Sequence, residues 1–206
     1  MPPAIEIQGM TRSAFILRAA LAAGAAYGLG AVAPVVNRAL AQGEAGSGET
    51  DGEIFRLALT LELLEAEFYR RALELDLGAD ARRLAELLDD HERQHVKRLR
   101  AVLDEIGEAT RDEDGLRFRF QMNDEASFLA LALTLEENGV AAYNGAAPLL
   151  QSREDLALAG SIVQVEARHV AAVRRTLGQN PAPLAFDKAK PLGEAVSDAV
   201  PYIAKL

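Results

Sequence analysis

The chain has 206 residues, 50% hydrophobic and 26% charged, enough for one buried core plus appendages. It has no cysteine, which excludes disulfides, thiolate metal sites, a cysteine nucleophile and a lipidated N-terminal cysteine. A net charge of −9 disfavours nucleic acid and anionic lipid as partners, and its spread along helix faces is explained by a solvated, soluble surface.

Residues 1–41 do not read as part of the fold. Arg12 precedes an apolar, Ala/Gly-rich run from Ala14 to Val36 that only Arg18 interrupts. Ala39-Leu40-Ala41 fits the small-x-small pattern of a signal-peptidase site, which predicts cleavage before Gln42 and a protein exported to the periplasm or cell exterior. Thr11-Arg12-Ser13-Ala14-Phe15-Ile16 resembles a degenerate twin-arginine signal, with Ser13 where the second arginine belongs. The alternative is a retained anchor, because after Arg18 the apolar run is ~18 residues, the bottom of the spanning range. A membrane is a partner only on that alternative. Residues 42–52, rich in Gly, Ser and Glu, read as a flexible linker, and 53–206 as the folded domain.

Four long helices follow. Ile54, Leu57, Leu61, Leu64, Phe68, Ala72 and Leu75 recur at helical spacing and predict a helix over 53–77, ended by Gly78. Asp80 is the expected N-cap of a second, 80–106, with Leu84, Leu88, His91, His95, Leu99, Val102 and Ile106 on one face and Gly107 as its stop. Residues 108–124 are polar, carry an Asp114-Gly115 turn signal and are long enough to run back along a bundle. The third helix, 125–146, has the stripe Phe128, Leu131, Leu135, Gly139, Tyr143 and closes at Pro148. The fourth, 153–177, turns Leu156, Ile162, Val163, Val170 and Val173 inward. A short helix near Leu192 to Val200 packs back through Val196, Val200 and Ile203. No segment alternates as a strand does. Two hairpins joined by a long crossover predict an all-α, antiparallel four-helix bundle with one crossover and a short C-terminal helix.

The chemistry lies in a repeat. Glu92-Arg93-Gln94-His95 and Glu166-Ala167-Arg168-His169 both read E-x-x-H, 74 residues apart (166 − 92). LALTLE ends at Glu62 and again at Glu136 (136 − 62 = 74), and Tyr69 and Tyr143 keep the same register. Positions three apart share a helix face. Each half therefore offers one Glu and one E-x-x-H to the core, and four carboxylates and two imidazoles converge in one cross-section. Buried carboxylates must be neutralised or coordinated. Two divalent cations balance four glutamates, and this mixed O/N donor set suits Fe or Mn, with Zn as an occupant of isolated protein.

This constellation resembles the di-iron or di-manganese carboxylate site of ferritin-like bundles. The wider text LTLELLEAEFYRRAL, DHERQHVKRL, GVAAYNGAAPLL and VEARHVAAVRR is similar, over residues 52–204, to exported bacterial ferritin-like proteins related to plant desiccation-related proteins. The resemblance implies Glu62, Glu92, His95, Glu136, Glu166 and His169 as metal ligands; a small oxidant is the further partner on a redox reading of that site. It also implies that each histidine serves one metal, with Glu92 and Glu166 bridging and Glu62 and Glu136 terminal. It fixes neither a reaction nor an oligomer.

Four neighbours complete the candidate set. Glu65 stands one turn from Glu62, with Gly139 as its repeat partner; it reads as a further ligand, a group bonded to a ligand, or ordinary helix polarity. The small Gly139 suggests an opening for an oxidant. Tyr69 and Tyr143 read as core tyrosines or as donors to the ligands. His91, matched by Val165, reads as a structural or ligand-supporting histidine. Two functions stand: a redox protein of oxidative stress, acting as ferroxidase, oxidase or peroxide consumer, or a desiccation-protective structural protein in which metal is a staple or absent. A membrane-tethered interaction module is a third.

Overall fold

The computed structural model describes residues 50–108 and 115–204. The expected export signal, residues 42–49 of the expected linker, and Asp114 of the turn signal lie outside them. Helices α1 (Asp51–Ala72), α2 (Ala79–Glu105), α3 (Glu125–Ala146), α4 (Arg153–Thr176) and α5 (Leu192–Ala199) account for most of the described chain. Among the described residues there is no strand; a single antiparallel bridge joins Phe118 to Ile203.

Helix α1 begins two residues before the expected 53, because Thr50 and Glu53 form a reciprocal capping box. It ends at Ala72 rather than at 77. The carbonyls of Leu73 and Leu75 accept from the Arg82 guanidinium at 3.4 and 2.9 Å, so the exit is capped from the next helix. Gly78, not Asp80, is the N-cap of α2, and its N–H donates to the Glu125 carboxylate at 2.7 Å. Asp124 and Ser127 box the start of α3, and Ser152 caps α4. Gly107 and Gly178 adopt positive φ (79° and 70°) just past α2 and α4, a conformation that suits glycine at a helix exit.

The pairs α1/α2 and α3/α4 pack as hairpins. Along α1 from Glu62 to Tyr69, the α3 partners retreat from Tyr143 to Glu136, so α1 and α3 run antiparallel. Likewise His91 meets His169 while His95 meets Glu166. Asp51 accepts from the N–H groups of Gln151 and Ser152 at 2.9 and 2.8 Å, which fastens the start of α1 beside the start of α4. The axis relating the two halves therefore lies across the bundle.

Most of the expected apolar stripes are buried. Two members, Ile106 (50% exposed) and Leu156 (43%), are exposed at helix ends, while Leu75, Leu131, Val163, Val170 and Val200 are half-buried. Phe68 stacks on Phe128 and meets Phe120 edge-on, fixing the returning crossover to the core. That crossover also pairs with the tail, Arg119 N–H donating to Tyr202 O and Ala204 N–H to Arg117 O, both at 2.7 Å.

The tail acts as a strap on α3. Lys190 N–H donates to Ala141 O (2.9 Å), Asn144 Nδ2 to Lys188 O (3.1 Å) and Asn138 Nδ2 to Ala195 O (2.9 Å). Leu192, Ala195, Val196 and Ala199 are buried beneath. Gly145 permits the approach, since a Cβ there would lie 1.6 Å from Lys190 O. The strap thus braces the helix that carries Glu136.

Candidate metal centre

Each half of the repeat turns its polar positions inward at mid-bundle. Glu62 and Glu65 come from α1, Glu92 and His95 from α2, Glu136 from α3, and Glu166 and His169 from α4. All five carboxylates and His169 are buried, and the His95 side chain is 12% exposed. The six residues of the expected ligand set meet in one place. Ligand atoms of Glu62, Glu92, His95 and Glu166 all lie within 4.8 Å of one another, and those of Glu92, Glu136, Glu166 and His169 do the same. Glu92 and Glu166 belong to both groups.

Within this cluster both imidazoles turn Nδ1 toward the carboxylates. His95 Nδ1 is 3.2 Å from Glu62 Oε2, 3.0 Å from Glu92 Oε2 and 3.0 Å from Glu166 Oε1. His169 Nδ1 is 2.9 Å from Glu92 Oε1, 3.2 Å from Glu136 Oε2 and 3.5 Å from Glu166 Oε2. Glu92 and Glu166 thus divide their oxygens, one toward each histidine.

Residues 50–179 match the sequence profile of the ferritin-like domain. The chain belongs to the ferritin-like domain family. No curated protein matches it. Buried Glu/His groups of this kind can hold metal ions, and in this ferritin-like chain the fit is testable on orphaned atoms. Glu92 Oε1, Glu136 Oε2, both oxygens of Glu166 and Nδ1 of His169 are buried without a hydrogen-bond partner. They lie close to one another yet are misaligned for hydrogen bonding. Polar atoms left so inside a protein are costly, and a shared cation satisfies them together. The donor set fits a metal.

Two tyrosines cross the ferritin-like bundle to hold the outer carboxylates. Tyr69 on α1 donates to Glu136 Oε1 on α3, and Tyr143 on α3 donates to Glu62 Oε1 on α1, each at 2.5 Å. Each bond occupies one oxygen of its glutamate and leaves the other for the cluster. Burial, then the charges of Glu136 and Glu62 respectively, push both phenols well above their ordinary pKa, so they stay protonated donors.

The carboxylates titrate far apart. Burial raises Glu136 to about 7, with the Glu166 charge adding, while His169 and Tyr69 oppose. Burial and the neighbouring Glu166 also raise Glu92. Burial works against ionised Glu166 as well, but His169 and His95 outweigh it and hold that carboxylate at about 2. Burial opposes charge on His95, and Glu166, Glu62 and Glu92 overcome it, pushing the imidazole up to about 12. His169 is raised in the same way by Glu136, Glu166 and Glu92. Without metal, the imidazolium ions are thus the counter-charges of the cluster.

Glu65 lies against the space that Gly139 leaves. A Cβ at Gly139 would be 3.3 Å from Glu65 Oε1 and 3.7 Å from Glu166 Oε2. The expected opening for an oxidant is therefore filled by a carboxyl group. Burial, then the surrounding glutamates beginning with Glu136, raise Glu65 well above its ordinary pKa. His91 takes a definite part: its Nδ1 lies 2.9 Å from His169 Nε2.

Proposed function

We propose that this ferritin-like chain is an exported protein holding two divalent cations, Fe or Mn, for redox chemistry with a small oxidant. The observation carrying the reading is the overlap of two four-residue donor groups through Glu92 and Glu166. Glu62 and His95 complete one subsite, and Glu136 and His169 the other. Shared carboxylates between paired cations are the arrangement dinuclear sites use, at separations of ~3.5–4 Å. When bound, such a pair would supply one-electron steps between a reductant such as ferrous iron and an oxidant such as oxygen or peroxide.

This chain's own residues would then do four things. Glu92 and Glu166 hold the two subsites together. Tyr69 and Tyr143 fix the direction of the outer carboxylates Glu136 and Glu62. The imidazoles of His95 and His169 exchange their Nδ1 protons for a metal, so binding releases protons. Burial of the cluster keeps bulk water away from it. The export reading rests on Ala14 to Val36 followed by Ala39-Leu40-Ala41.

The test is to purify the protein from its native compartment, assay metal, and load it anaerobically with Fe(II) or Mn(II). Mass measurement fixes its N-terminus. Two ions per chain, turnover of Fe(II) or peroxide, and a chain beginning near Gln42 are expected. Bound metal without turnover would replace the redox reading with the staple. Absence of metal uptake would overturn both. Intact Met1 on cytoplasmic protein would overturn export.

A further inference from the structure

The two subsites share a donor set but not their surroundings. Under the repeat, His91 corresponds to Val165 (165 − 91 = 74), so only one half carries this imidazole. His91 lies one turn before His95 on α2, yet it reaches across to α4. Its Nδ1 is 2.9 Å from Nε2 of His169, with the two rings inclined by 20°. His169 turns its other nitrogen, Nδ1, into the carboxylate cluster.

The geometry has one consistent protonation pattern for a metal-bearing site. A ligating Nδ1 carries no proton, so Nε2 of His169 must carry it and donate to Nδ1 of His91. An acceptor behind a ligating imidazole fixes its tautomer and ring plane and raises its basicity toward the metal. Glu65 and Glu166 Oε2, the oxygen that faces His169, both border the space that Gly139 leaves.

Resting on the dinuclear reading above, we infer that His91 is a positioning residue that makes the two subsites unequal, with the Glu136–His169 subsite the tighter. Hydrogen-bond partners of this kind change metal affinity 10–100-fold when removed. The subsites therefore fill in sequence, the His169 side first.

The test is anaerobic optical titration of the full metal-free chain with Co(II). Wild type should bind two ions in separate steps. His169→Ala should remove the tighter step and His95→Ala the weaker one. His91→Val, which copies the matching residue of the other half, should weaken the tighter step roughly 10–100-fold and leave the weaker one unchanged. His91→Asn, which keeps an acceptor near the Nδ1 position, should restore most of the difference. Equal wild-type steps, or unchanged steps in His91→Val, would overturn this inference and leave the dinuclear reading standing. Wild type that takes up no Co(II) would overturn both. Long-range 15N–1H spectra give a second readout that needs no metal: the Nε2–H signal of His169 should be present in wild type and exchange faster in His91→Val. An Nδ1–H tautomer in metal-loaded wild type would contradict the geometry.

Discussion

Replacing Gly145 by alanine should destabilise the protein even though alanine is the better helix former. In an exposed helix interior, Gly→Ala gains about 1 kcal/mol. At Gly145 the new Cβ would stand 1.6 Å from Lys190 O, 2.6 Å from Lys190 C and 3.2 Å from Lys190 N. All three are backbone atoms, so no rotamer change relieves the overlap and the strap must lift. Two hydrogen bonds lie at that point, Lys190 to Ala141 and Asn144 to Lys188, each contributing about 1 kcal/mol. Leu192 and Val196, just beyond, are buried, and full exposure of each would cost about 1.5–3 kcal/mol. Partial loss of these terms, less the helix gain, gives a net destabilisation of roughly 2–4 kcal/mol. For a chain of this size, that lowers Tm by roughly 5–15 °C. Gly160 in α4 is the internal control, since a Cβ there meets nothing within 4 Å and Gly160→Ala should be neutral or stabilising by up to about 1 kcal/mol. Urea unfolding of both variants, metal-free and in the same buffer, makes the comparison. A Gly145→Ala protein as stable as wild type would refute the tight apposition of strap and helix.

Tyr69→Phe and Tyr143→Phe should each weaken metal binding at one subsite, through Glu136 and Glu62 respectively, by roughly tenfold; titration calorimetry reads it, and equal effects on both steps would contradict the crossed arrangement. Metal-free protein should lose stability as pH rises from 5 to 8. Glu136, raised to about 7, contributes most below its ordinary value and loses that contribution as pH rises through 7; His95, raised to about 12, contributes fully below 6.5 and progressively less above. Glu166, held at about 2, acts in the other window, its contribution being lost only as pH falls from about 4.5 through 2. Because metal displaces the imidazole protons, the rise in Tm on adding Mn(II) should instead grow with pH; scanning calorimetry at pH 5, 6.5 and 8 would expose the opposite trend. Verified removal of metal by a chelator should lower Tm, and an unchanged Tm would end the idea that metal staples the bundle.

The convergence of the six Glu and His side chains was legible because their spacing is a sequence property. E-x-x-H fixes a helix face, and the shared register of Glu62, Glu136, Tyr69 and Tyr143 brings the halves together. The end of α3 was legible for a similar reason, since Pro148 acts locally. What escaped sequence reading is contact between distant residues. Arg82 caps the end of α1 from the next helix, so Leu75 and Leu77 keep the apolar rhythm without being helical. Gly78 is the N-cap of α2 in place of Asp80, and its own N–H is held by Glu125 from α3. Glu65 fills the space over Gly139, which the spacing alone presents as an opening. The bond of His91 to His169 joins positions on two helices, and its only trace in the sequence is the mismatch with Val165.

Anomalous diffraction from crystals of the chain loaded anaerobically with Mn(II) tests the dinuclear site most directly. Two peaks ~3.5–4 Å apart are expected. Glu92 and Glu166 should reach both, Glu62 and His95 Nδ1 one, and Glu136 and His169 Nδ1 the other. A single peak, or two peaks outside the space these six side chains enclose, would contradict it.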